Sequence, residues 1–214
     1  MLETRVKQAA AIAAVLLCAG LAALFIGYSL FPAVRETRFQ AAGVSDNGEG
    51  VIIDFALRSR PGNGALLVNV ANAEWREDTA ASFLAAREHA QSLVGVPLDN
   101  RDYELSVSAS GAGIGGESAG AAFASAVIAN YYGGQLRGDA VVSAALPLDA
   151  ANETLEPIGG ADEKILAAAK AGKRFFVVAQ AQQLKYEGEL AKRIAIKRVR
   201  TLREAVSFLL QRTG

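Results

Sequence analysis

Three residues able to do covalent chemistry stand at suggestive positions in this 214-residue chain: Ser118, Lys164 and the single histidine, His89. Ser118 follows the glycine-rich run Gly111-Ala-Gly-Ile-Gly-Gly116 and opens a stretch of small residues, 118–131, that reads as a helix stopped by Gly133 and Gly134. Serine is a favoured cap at a helix start, and free N–H groups and the positive end of the helix dipole converge there too. Such donors suit a nucleophile, whose tetrahedral intermediate places negative charge on the substrate oxygen. The backbone of residues 116–118, from Gly116 through Glu117, would supply them. A serine hydroxyl also needs a base. His89 lies in the middle of an expected helix, where a histidine is ordinarily a surface or core-neighbouring residue. Lys164 sits in the first turn of another expected helix, behind Gly159 and Gly160, with Ile158, Ile165 and Leu166 around it. Burial and the positive helix end would both disfavour its ammonium form and leave an amine able to accept a proton. Its plainer reading is a solvated lysine in an acidic first turn.

These residues need elements to hold them. Residues 51–57 and 65–70 read as strands around a turn-rich segment at 60–64, and 79–93 has helical spacing with Asp78 or Thr79 as its cap. Alternation over 102–108 predicts a half-buried strand with Tyr103, Leu105 and Val107 on one face. Strands at 140–146 and 174–179 flank a helix at 161–171. Thr201-Leu-Arg-Glu204 is a capping box that opens a last helix over 202–210. Strands and helices interleave, which predicts an α+β domain of mixed sheets with flanking helices.

Two separated segments narrow the chemistry further. Gly116-Glu-Ser118-Ala-Gly-Ala-Ala resembles the nucleophile motif of Lon-type serine proteases, and Pro157-Ile-Gly-Gly-Ala-Asp-Glu-Lys164-Ile-Leu-Ala-Ala resembles the lysine segment of the same family. The resemblance covers about residues 50–212 and is strongest over 115–180. It implies Ser118 as nucleophile, Lys164 as general base and peptide bonds as substrate. It also points to Ser143, where the family typically has a threonine that hydrogen-bonds the lysine. Glu117 has acidic counterparts in part of the family, whereas the acid often found a few positions before the serine is replaced by Gly115. No GxxxxGK[ST] segment is present, so proteolysis is expected to proceed without ATP. Two other readings stay open. Gly111, Gly113 and Gly116 match GxGxxG, which would suit a dinucleotide, but the expected acid is missing after the next strand. The fold could also serve as a non-catalytic, membrane-tethered binding module.

Composition sets the surroundings. Residues 9–31 carry no charge, with Arg5 and Lys7 just before them, and a stretch of this length can span a membrane. It exceeds the apolar core of a secretory signal, so residues 1–32 read as a retained single-pass anchor and 33–49 as a linker. The domain would then cover 50–212 and lie outside the cytoplasm, touching lipid through the anchor. Basic and acidic residues balance at 22 each, which offers no draw for nucleic acid. The basic stretch 192–203 alternates with apolar residues and reads as a strand with one solvated face. The one cysteine, Cys18, cannot form a disulfide within the chain, and no Cys/His set for a metal exists. No cofactor is expected, and a homo-oligomer is compatible with the whole.

Overall fold

The computed structural model describes residues 16–18, 20, 34–71, 74–75, 77–108, 113–114 and 116–211. The chain divides into two compact units, Met1–Val34 and Arg35–Gly214. In the first, residues 16–18 and 20 are helical, with Leu16 and Leu17 exposed. Among the described residues no helix is long and apolar enough to cross a membrane. The span expected over 9–31 lies almost entirely outside those residues.

In chain order the second unit runs β1 (Arg35–Val44), β2 (Gly50–Pro61), β3 (Leu66–Ala71), β4 (Glu74–Trp75), α1 (Glu77–Val94), β5 (Arg101–Ser108), β6 (Gly113–Ile114), α2 (Gly120–Tyr131), β7 (Gln135–Leu136), β8 (Ala140–Val142), α3 (Ala161–Lys170), β9 (Phe175–Ala179), α4 (Glu187–Ala191), β10 (Ala195–Val199), α5 (Leu202–Leu209) and β11 (Leu210–Gln211). A four-stranded sheet has the order β1-β2-β5-β3, and a parallel three-stranded sheet the order β10-β9-β8. The mixed α and β architecture expected from the interleaved pattern is present.

The stretch read as a linker, 33–49, is corrected: it holds β1, which pairs antiparallel with β2 from Arg35↔Ser59 to Val44↔Gly50. Its inner face is Thr37, Phe39 and Ala41, all buried, while Glu36, Arg38 and Gln40 occupy the other. The buried threonine hides the apolar period. Its hydroxyl donates to the Gly134 carbonyl at 3.2 Å, so it enters the core satisfied.

The larger core lies between that sheet and the helices α1 and α2. Phe39 stacks on Phe55, and Phe123 of α2 meets both edge-on, at 6.0 and 5.3 Å between ring centroids. Phe83 of α1 closes the group against Phe123 at 5.7 Å. Small residues let α2 sink in completely, with Gly120 through Asn130 buried, as a helix apolar on all sides must be. A second core joins α3 to the parallel sheet through Ile165, Ala168, Val141, Phe176 and Val178. There α3 also lies directly on β2: a Cβ on Gly50 would fall 2.0 Å from the Glu163 carbonyl oxygen. Glycine permits that contact and so sets the depth of the helix carrying Lys164.

Two smaller differences bear on the site, and the strand expected in the basic stretch is present. The strand expected over 140–146 leaves the ladder after Val142, and Ala145 instead exchanges backbone hydrogen bonds with Glu156 at 3.0 and 2.9 Å. Ser118 lies in a 3-10 turn, Glu117–Ala119, and α2 itself begins at Gly120. The basic stretch contains β10, where Arg198 pairs with Glu187 at 2.9 Å; Arg203 beyond it pairs with Glu153 at 2.7 Å.

Candidate active site

Gly116 delivers the chain to Ser118 with φ 100° and ψ 154°, a conformation in which a side chain is strained. The 3-10 turn follows at once. Its leading N–H groups have no partner within a helix. Ser118 is half-buried, and Glu117 is exposed. Behind the turn, the Ser143 hydroxyl donates to the Ser118 carbonyl at 3.1 Å, from a side chain 1% exposed. Ser143 thus braces the backbone of Ser118, and among the described residues it makes no hydrogen bond to Lys164.

Lys164 comes from the first turn of α3. Gly160 caps α3 in the left-handed conformation, and the Lys164 N–H donates to its carbonyl at 3.1 Å. The side chain is 5% exposed, and burial alone pulls its pKa from the usual 10.5 down to about 8. Near neutral pH a useful fraction of it is therefore the free amine. Among the described residues, neither the Ser118 hydroxyl nor the Lys164 amine has a hydrogen-bond partner. Catalytic contacts in a resting enzyme often close only around substrate.

The two side chains share two cavities. One, of about 270 Å³, is lined by both of them together with Ala41, Ala42, Gly43 and Val44 of β1, and with Ile53, Phe55 and Thr79. The other, of about 500 Å³, is lined by both together with Asp78, Glu117, Ala145, Pro157 and Ile158. The Ile158 wall is held by the buried Gln182, whose amide accepts from the Ile158 N–H at 2.8 Å and donates to its carbonyl at 3.1 Å. Another cavity, of about 510 Å³, extends over Arg38, Asp54, Asn69 and Ser106 and holds neither Ser118 nor Lys164.

The structure thus brings Ser118, Lys164, Gly116 and Glu117 to one place, with Ser143 immediately behind. His89 is elsewhere. It is buried, its Nε2 lies 2.8 Å from the Pro147 carbonyl, and it lines neither cavity that Ser118 lines. Gly111 of the GxGxxG match lies outside the described residues, and Gly113 forms a short parallel pair with Glu74. Asp139, the acid that precedes the next strand beyond that match, is engaged by Arg137 at 2.6 Å. Four contributors escaped the sequence reading: Asp78, Thr79, Gln182 and the β1 segment, all remote in the chain from Ser118. Only the tertiary fold assembles them.

A family model describing the Lon protease (S16) C-terminal proteolytic domain matches residues 50–212. No curated protein matches the chain.

Proposed function

The chain belongs to the Lon protease (S16) proteolytic-domain family and is a serine peptidase, and we propose that it cleaves peptide bonds through a dyad of Ser118 and Lys164. The observation that carries this reading is the buried Lys164, its pKa lowered to about 8, on the wall of the same cavities as Ser118. In the first half-reaction the Lys164 amine takes the Ser118 proton as Oγ attacks the scissile carbonyl carbon. The oxyanion accepts hydrogen bonds from the N–H groups of the 3-10 turn. Collapse of the intermediate breaks the C–N bond, and the Lys164 ammonium returns its proton to the departing amine. Water then attacks the Ser118 ester with Lys164 again as base, which frees the carboxylate product and restores the serine.

The position of β1 at the sheet edge suits an extended substrate, because a peptide can add to such an edge as another strand. We further propose that residues 1–32 anchor the enzyme in a membrane with its domain outside the cytoplasm, and that hydrolysis of flexible peptides needs no ATP. The uncharged stretch 9–31 and the lack of a phosphate-binding loop motif support these points.

A fluorophosphonate tests the dyad. Wild type should gain the phosphonyl mass on the peptide containing Ser118, Ser118→Ala should gain none, and Lys164→Met should react at least about a hundredfold more slowly. Labelling at another serine, or equal labelling of Lys164→Met, would contradict the assignment.

A further inference from the structure

The larger cavity at the dyad carries two acids beside Lys164. Beyond Ser118 and Lys164, its charged lining residues are Asp78 and Glu117. Neither carboxylate has an ion-pair partner among the described residues. Asp78 accepts only a long contact from the neighbouring Thr79 hydroxyl, at 3.5 Å. Glu36, Glu153 and Asp139, by contrast, are half-buried and are engaged by Arg58, Arg203 and Arg137. Two unpaired negative charges therefore line the cavity that Ser118 and Lys164 also line.

Their mounting is firm. Asp78 lies in the first turn of α1, where the helix dipole favours a negative side chain. Glu117 opens the 3-10 turn that presents Ser118 itself. Ala145, Pro157 and Ile158 give the same cavity an apolar part. A lysine or arginine matches this combination of surfaces, because its methylene stem packs on apolar walls while its head reaches carboxylates. The smaller cavity has Ala41, Ala42, Ile53 and Phe55 in its lining beside Thr79 and the dyad and, among the described residues, no acid.

We propose that Asp78 and Glu117 make this peptidase selective for substrates carrying a lysine or arginine beside the scissile bond. The selectivity rests on the Ser118–Lys164 reading of the site and adds the class of substrate. A substrate cation in that cavity would also oppose the ammonium form of Lys164, so the preferred substrate helps to keep the base ready. Single solvated ion pairs are weak, and a pair of carboxylates in a cleft should together give about tenfold discrimination between a basic and an acidic side chain.

The test uses the full chain in detergent and peptides identical except for one residue beside the scissile bond: Lys, Arg, Leu or Glu. Wild type should show kcat/KM about tenfold higher for Lys or Arg than for Glu, with the ratio shrinking as salt rises. In the Asp78→Asn, Glu117→Gln double variant the ratio should fall to near one, and in the Asp78→Lys, Glu117→Lys variant it should invert. Equal rates for Lys and Glu peptides in wild type would overturn the proposal, as would a double amide variant that keeps the preference. Ser118→Ala, run alongside, separates the two readings: if it is inactive while wild type shows no preference, the dyad stands and the selectivity falls. If wild type cleaves none of the peptides, both fall.

Discussion

At the scale of single residues, the proposed chemistry depends on what burial does to Lys164. An ammonium ion sheltered from water is disfavoured, and here nothing else among the described residues offsets that cost. The folded pKa of about 8 lies below the usual 10.5, so between those values the unfolded chain binds the extra proton. The native state therefore gains stability as pH rises through this window, and below about pH 8 it bears the full penalty. Lys164→Met keeps the length and apolar volume and removes the penalty. It should be more stable than wild type by roughly 1–3 kcal/mol at pH 7, with the difference vanishing above about pH 10.5, as read from urea unfolding at each pH. A variant less stable at pH 7 would mean that the lysine is solvated or paired. Ser118 and Lys164 were legible in the sequence because each sits in a local signature, a glycine run before a helix. The Ser143 contact was not, because which atom a hydroxyl reaches is decided by how β8 and the 3-10 turn lie in space. It reaches the Ser118 carbonyl.

At the scale of elements, periodicity served where one face is uniformly apolar and failed where it is not. The strand at 101–108 and the helices around Phe83 and Ile165 follow the expected pattern closely. β1 was hidden because its inner face mixes Thr37 with Phe39 and Ala41 and its outer face is charged or amidic. Yet this strand supplies Ala41, Ala42, Gly43 and Val44 to the cleft and the ring of Phe39 to the core. Removing residues 1–32 should leave a soluble, folded domain, whereas removing 1–49 should not. The longer deletion takes a whole antiparallel partner from β2 and empties the space of a buried Phe, for which about 3–5 kcal/mol is the ordinary cost of truncation alone. Circular dichroism and thermal melts of the two truncated proteins would decide it. Equal melting temperatures would show that β1 is dispensable, and aggregation of the shorter deletion would place the first unit inside the fold.

At the scale of the whole molecule, two cores meet at one cleft: the sheet with α1 and α2 presents Ser118, and α3 on the parallel sheet presents Lys164. The family could be read from two motifs in order, and residues 50–212 match its proteolytic domain. The walls of the cleft could not, because Asp78, Ile158 and the β1 segment converge from distant parts of the chain. The most direct test of the central claim is the pH dependence of kcat/KM for one peptide, measured on wild type, Lys164→Met, Lys164→Arg and His89→Ala. Wild-type activity should rise with pH around a midpoint near 8, because the proposed base works as the neutral amine. Both lysine variants should be inactive throughout, the arginine one because its side chain stays protonated. His89→Ala should lose stability with the Pro147 contact and retain the wild-type pH profile. An inactive His89→Ala enzyme beside an active Lys164→Met one would contradict the dyad.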